Sequence, residues 1–262
     1  MRTTAILNCK GGVAKSTTVI NMAAILAADY HKRVLVVDAD SQANTTEFFG
    51  GSEAKQTLAD LLRGEYITPH ATIMRSNVEG VDLIPADDSL MDLDLSSVKS
   101  KEADMTCLDR LLADNLDNYD FVLIDCPPAF NAASAAALLA ATDVIIPIKV
   151  DAFSLRGMAN LMRQIRNMQS INPNLHLAGL LPTMVYRSDK IHKSLDVLRA
   201  SDFRIYPTIR KTNKVDDMTF AQRPLIESSP HSAACVDYRI FVKAYLRAAE
   251  GVGPYRGGAD RG

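Results

Sequence analysis

Apolar positions along the chain recur with two periods, and the alternation between them carries most of the fold. Residues 4–8 (TAILN) make a short apolar run that reads as a buried strand. Residues 16–29 then place Ile20, Ala23, Ala24 and Ala27 on one helical face. The pattern repeats: an apolar strand over 32–40, a short helix over 56–62, a strand over 81–85 and a cap at 87–90 that opens a polar helical segment. A helix is predicted over 102–116 from the spacing of Leu108, Leu111, Leu112 and Leu116, followed by a strand at 121–125 that Pro127 and Pro128 stop. Further on come an alanine-rich helix (131–142), a strand (144–148) and a helix (155–170) with Leu155, Met158, Leu161, Met162, Ile165 and Met168 on one stripe. A strand at 175–183 and a last helix at 237–249 complete the series. Strands alternating with helices predict an α/β fold with a mostly parallel, twisted sheet flanked by helices. One domain is expected over residues 1–250, with a flexible glycine-rich tail at 251–262.

Chemistry concentrates at three strand ends. The first strand runs into Cys9-Lys10-Gly11-Gly12-Val13-Ala14-Lys15-Ser16-Thr17, then directly into a helix. In such a turn backbone N–H groups and the helix dipole converge on an anion, and a lysine reaches the outer phosphates. The common pattern G-x-x-x-x-G-K-[ST] is met at Lys15 and Ser16, but Cys9 and Ala14 stand at its glycine positions. The variant K-G-G-x-x-K-[ST] fits fully, with Lys10 as a second lysine. The second strand ends in Asp38-Ala39-Asp40, whose carboxylates period-2 alternation sends to one side, beside the turn if the strands are neighbours. Such a pair suits a magnesium shell and the positioning of a water. Asp125 ends a third apolar strand and is placed to hold Mg²⁺ opposite the Ser16 hydroxyl.

Composition adds limits. With 47% hydrophobic and 23% charged residues in 262, the chain can bury a substantial core. No apolar run reaches the ~18 residues of a bilayer span, and the first strand begins too near Met1 for a signal peptide to be expected. Cys9, Cys107, Cys126 and Cys235 form no C-x-x-C pair and read as reduced thiols of a cytoplasmic protein. Net charge is only −2, yet residues 52–127 hold 16 acidic against 6 basic side chains and residues 186–262 hold 14 basic against 9 acidic. The basic C-terminal third suits a polyanion or an acidic partner; solvated faces would explain the same asymmetry.

Residues 10–17, Asp38-Ala39-Asp40-Ser41-Gln42 and Asp125-Cys126-Pro127-Pro128 together resemble the deviant Walker A P-loop ATPases, and most closely their ParA/Soj branch, which partitions plasmids and chromosomes. Looser matches run through residues 83–86, 153–157, 209–218 and 223–225. The resemblance implies ATP and Mg²⁺ as cofactors, and a role for each position. Lys10 would cross to the ATP of the partner subunit in a sandwich homodimer, with Gly11 and Gly12 allowing close backbone approach. Val13 and Ala14 continue the cradle, Lys15 would bind the β- and γ-phosphates, Ser16 the magnesium and Thr17 the α-phosphate. Asp40 would orient the attacking water, while Asp38 and Asp125 support the metal shell. Thr183 and Arg210 fall where the base is recognised. The resemblance also implies non-specific double-stranded DNA binding, for which Arg187, Lys190, Lys193, Lys211, Lys214, Arg223 and Lys243 are candidates. It further implies a ParB-like centromere-binding adaptor and a nucleoid-associated location. A MinD-like membrane-cycling ATPase is the alternative, although no membrane contact is expected. The family commonly has glycine at the position of Ala14 and proline at that of Ser41. Alanine serves only where φ is negative, so the conformation at Ala14 is the open point of the turn.

Overall fold

A computed structural model describes residues 1–93, 103–150 and 152–250, with only the backbone of residues 152–157. Its strands are β1 (Arg2–Ile6), β2 (Val34–Asp38), β3 (Met74–Arg75), β4 (Val81–Ile84), β5 (Phe121–Asp125), β6 (Asp143–Lys149) and β7 (His176–Thr183). Its helices are α1 (Lys15–Tyr30), α2 (Asn44–Phe48), α3 (Leu58–Arg63), α4 (Cys107–Ala113), α5 (Ala132–Ala140) and α6 (Ala152–Gln169), then α7 (Asp189–Arg199), α8 (Lys214–Ala221), α9 (Leu225–Ser228) and α10 (Ala233–Ala249). The strands form one seven-stranded sheet in the order β3-β4-β2-β5-β1-β6-β7. Every pairing is parallel except β3 with β4.

The inner strands are buried on both faces, so they read as continuous apolar runs, and alternate residues feed two separate cores. Ala5, Leu35, Val37, Val122, Ile124, Val144 and Ile146 pack on one side, under α3, α4, α5 and α6. Ile6, Val34, Val36, Leu123, Ile145 and Leu181 pack on the other, against α1 and α10. Helix α1 is tied to its neighbours by polar contacts as well. The Asn21 carboxamide donates to the Thr17 carbonyl (2.8 Å) and accepts from the Leu225 N–H (3.0 Å), both away from water. The helix that leaves the glycine turn is therefore a fixed carrier, not a loose terminus.

The predicted alternation of strands and helices about a mostly parallel sheet is observed; helices α2, α8 and α9 add to it, and several element ends differ. The helix expected over 102–116 is α4, seven residues long. The Asp104 carboxylate accepts from the Thr106 N–H and hydroxyl ahead of it, and the Asn115 side chain donates to the Leu111 carbonyl at its end. Residues 94–102 lie outside the described residues, as do the tail at 251–262 and the side chains of 153–157. The segment after Asp87 is a 3-10 turn over Asp88–Asp92, not a longer helix. Helix α10 begins at Ala233, four residues early, because the Ser232 side chain accepts from the Cys235 N–H and caps it there. Strand β3, with only two residues and no alternation to show, was not foreseen.

Candidate functional site

The carboxyl ends of β1, β2 and β5 lie side by side at the centre of the sheet. Asp38 is in register with Asp125, and Asp125 with Ile6, so the glycine turn that follows β1 sits over two carboxylates. Asn8 shapes the start of the turn: its side chain donates to the Pro147 carbonyl (2.7 Å) and accepts from the Lys10 N–H (2.9 Å). At the far end the buried Thr183 hydroxyl donates to the Val13 carbonyl (3.0 Å), bracing the turn from β7. Gly11 and Gly12 face outward, and Gly12 has φ +66°. A Cβ built on Gly11 meets nothing within 4 Å, so packing inside the chain does not require glycine there.

Ala14 does not meet the condition of a negative φ. It lies at φ +68°, ψ +36°, in the left-handed region, at the N-cap of α1. The backbone path of the turn demands that conformation whichever side chain is present. The strain is held by neighbours: the Ala14 carbonyl accepts from the Thr18 N–H (3.0 Å) and the Thr18 hydroxyl (2.7 Å). Left-handed backbone costs an alanine about 1–2 kcal/mol, more than glycine's extra entropy in the unfolded chain. Ala14→Gly is therefore expected to stabilise the protein by about 0.5–1 kcal/mol in urea unfolding, opposite in sign to an Ala→Gly change inside a helix. A loss of that size would refute the strain.

No side chain caps α1, so the N–H groups of its first turn face outward without an internal acceptor, as an anion site requires. Lys15, the first helical residue, is only 7% exposed. No hydrogen bond or salt bridge holds its side chain among the described residues, and its charge is felt at the neighbouring Asp125 carboxyl. Ser16 and Thr17 border a cavity of about 390 Å³ that Ile20, Asn44, Phe48 and Phe220 also line.

Strand β2 ends at Asp38, so Asp40 is set by a turn and not by the pleat. Its carboxylate accepts from the Gln42 N–H (3.1 Å), its carbonyl accepts from the Ala43 N–H (2.9 Å), and the side chain is half-buried. Asp38 is fully buried and both its oxygens are engaged. Oδ1 accepts from the Asp40 N–H (3.1 Å), and Oδ2 from the Thr46 N–H and hydroxyl (2.8 Å each). It thereby caps α2 from across the loop, a task that Ala43 at the N-cap cannot perform. Asp125 is also buried. Its Oδ2 accepts from the Thr45 hydroxyl (2.7 Å), whereas Oδ1 is a buried oxygen with no hydrogen-bond partner. Burial, and then the neighbouring Asp125, push the Asp38 carboxyl upward. Burial raises Asp125 too, against the opposing pull of the Ser16 and Thr45 hydroxyls and the Lys15 charge.

Two buried carboxyl groups at the foot of a phosphate turn, one with an orphaned oxygen, fit a divalent cation. Among the described residues no group of three His, Cys, Asp or Glu side chains forms a metal cage. Magnesium needs none: it takes one or two carboxylates and completes its shell with water and phosphate oxygens.

A family model described as "AAA domain" matches residues 1–177. The chain is 35% identical over 219 residues, 81% of each protein, to the "Chromosome partitioning protein ParA" of Caulobacter vibrioides. The chain belongs to the ParA/Soj branch of the MinD/ParA family of P-loop ATPases. The "Sporulation initiation inhibitor protein Soj" of Bacillus subtilis is 31% identical over 240 residues, 89% of this chain and 94% of Soj. Among solved structures, a cobyrinic acid a,c-diamide synthase from Mycobacterium smegmatis with bound ADP and magnesium superposes with a TM-score of 0.81 at 31% identity, covering 97% of each chain.

In this ParA/Soj-type chain the residues singled out from the sequence divide into those gathered at the sheet centre and those elsewhere. Residues 10–17, Asp38, Asp40 and Asp125 converge, and Thr183 stands behind the turn. The Arg210 side chain is occupied: Nε and NH2 donate to Asp237 (2.9 and 2.8 Å), tying the segment to α10. All seven basic candidates are exposed. Lys214 pairs with Asp217 and Arg223 with Glu227. Sequence reasoning missed Asn8, Thr45 and Thr46, whose roles follow from contacts across strands and not from any motif.

Proposed function

We propose that the chain is an ATP-hydrolysing partition switch: it binds Mg·ATP at the glycine turn, pairs with a second copy across it, and in that state holds DNA without sequence preference. Lys15 carries the nucleotide part: it is 7% exposed at the head of α1, beside the uncapped N–H groups of the first turn, where its charge would meet an incoming phosphate. Lys15 and the N–H groups of α1 hold the phosphates, while Ser16 and the free oxygen of Asp125 hold the magnesium, which when bound neutralises charge on the transferring phosphoryl group. Asp38 stands behind, shaping the loop from which Asp40 orients water. The open faces of Gly11 and Gly12 leave room for a second backbone, and Lys10 would add its charge to the partner's site, as an arginine finger does. Hydrolysis then times the disassembly of the dimer. A ParB-like centromere-binding adaptor would trigger it, and the protein would be cytoplasmic and associated with the nucleoid.

DNA retention tests the reading. Lys190 and Lys193 are both exposed on α7, whose Ile191, Leu195 and Leu198 are buried. The ATP-bound protein is expected to hold random-sequence duplex DNA with a steep salt dependence. The Lys190→Ala/Lys193→Ala chain should lower the slope of log Kobs against log salt by about 2. No ATP-dependent, salt-sensitive retention would sink the partition reading. The likeness to the Mycobacterium smegmatis diamide synthase, solved with ADP and magnesium, supports a second reading, nucleotide-driven amide formation on a small molecule. ATP turnover indifferent to DNA but stimulated by a carboxylic acid and an ammonia donor would decide for it. A MinD-like role would show as ATP-dependent co-sedimentation with vesicles; among the described residues no helix is long and apolar enough to cross a membrane.

A further inference from the structure

The first turn of α2 joins the two chemical parts of the site. Thr45 and Thr46 are buried, at 0% and 2% exposure, on a five-residue helix whose N-cap, Ala43, is left-handed (φ +52°). Successive hydroxyls reach two different strands. Thr45 donates to Asp125 Oδ2 at the end of β5, and Thr46 donates to Asp38 Oδ2 at the end of β2. Thr46 also accepts from the Ala86 N–H (2.8 Å), so both sides of its hydroxyl are used and the turn is anchored beyond β4 as well. The loop that carries Asp40 is held at one end by the Ala39 N–H, which donates to the Asp125 carbonyl (2.9 Å), and at the other by Thr45 on the Asp125 carboxylate.

The geometry points to Thr45 as a positioning residue for the metal site, an inference that rests on the Mg·ATP reading above. A carboxylate with one oxygen fixed by a buried hydroxyl has its rotation stopped, and its second oxygen is committed to one direction. Here that second oxygen is the orphaned Oδ1 of Asp125. Outer-shell hydrogen bonds of this kind orient metal ligands, and losing one weakens metal affinity roughly 10–100-fold. The same hydroxyl belongs to the element that ends the Asp40 loop. A cation held by Asp125 and the residue that places the water are thus referred to one carboxylate, and movement of either is transmitted through Thr45.

The test compares Thr45→Val, which keeps the β-branched shape and deletes the hydroxyl, with Thr45→Ser, which keeps the hydroxyl. Binding of a non-hydrolysable ATP analogue is titrated calorimetrically at stepped Mg²⁺ concentrations and again in excess EDTA. The valine chain is expected to need roughly 10–100-fold more Mg²⁺ for half-maximal effect, with affinity in EDTA unchanged. The serine chain should match the wild type within about threefold, by the same reasoning that the hydroxyl alone orients the ligand. A valine chain with the wild-type Mg²⁺ requirement overturns the role of Thr45, and so does a serine chain shifted as far as valine. Should valine prevent folding, Thr45→Ala is judged by the same two criteria. A wild-type chain whose analogue binding ignores Mg²⁺ overturns the Mg·ATP reading itself, and this inference with it.

Discussion

Lys15→Met is expected to abolish nucleotide binding while making the nucleotide-free protein more stable. Lys15 is 7% exposed, with no hydrogen bond or salt bridge from its side chain among the described residues, and it stands at the positive end of α1. Desolvation of the stem end and the helix dipole both weigh on the empty protein, and the pull of the Asp125 carboxyl is expected to offset them only in part. Methionine keeps the length and packing of the stem and removes the charge. We expect a gain of about 1 kcal/mol in the unfolding free energy of the apo chain. ATP affinity should fall at least ~100-fold, or about 3 kcal/mol. Differential scanning calorimetry with and without Mg·ATP reads both, since a ligand that binds only the folded state raises Tm. A variant that still shifts with Mg·ATP, or whose apo form melts lower, contradicts the account of this lysine.

Asp40→Ala separates binding from chemistry. Asp40 is placed by its own turn, through the Gln42 and Ala43 N–H groups, and braces no strand. Its removal leaves Lys15, Ser16 and Asp125 untouched. The variant should bind ATP within a few-fold of wild type and accumulate as an ATP-bound dimer, while turnover drops by about 10²–10⁴, the range lost with a positioned acid–base group. Single-turnover hydrolysis beside sedimentation velocity measures both. Near-normal turnover would remove Asp40 from the chemistry. A chain that no longer binds ATP would instead make Asp40 part of the cradle. Dimers formed without ATP would uncouple assembly from the nucleotide.

Much of this site was legible in the residues because its chemistry is local along the chain. A strand, a glycine turn, two lysines and a helix occupy neighbouring positions, and Asp38 and Asp125 each end an apolar run whose burial requires a sheet. Once the strands are parallel neighbours, their carboxyl ends must meet. The single alanine at position 14 stayed open for a physical reason. Side-chain preference argues for negative φ, but the closed path of the turn, braced by Thr18 and Thr183, sets the backbone. Asp38 was expected beside the metal. It is in register with Asp125, and its oxygens are bound to Asp40 and Thr46, a partnership across eight residues that no periodicity announces.

The alternation of strands and helices, the phosphate turn and the family could be read from the residues, since each depends on periodicity or on contiguous motif positions. Which polar groups are satisfied and which are left over depended on the packed fold. Satisfaction is a property of three-dimensional neighbours: Thr45 completes one oxygen of Asp125 from a different strand connection, and nothing in the described residues completes the other. That leftover oxygen lies beneath the glycine turn, where a bound cation would complete it.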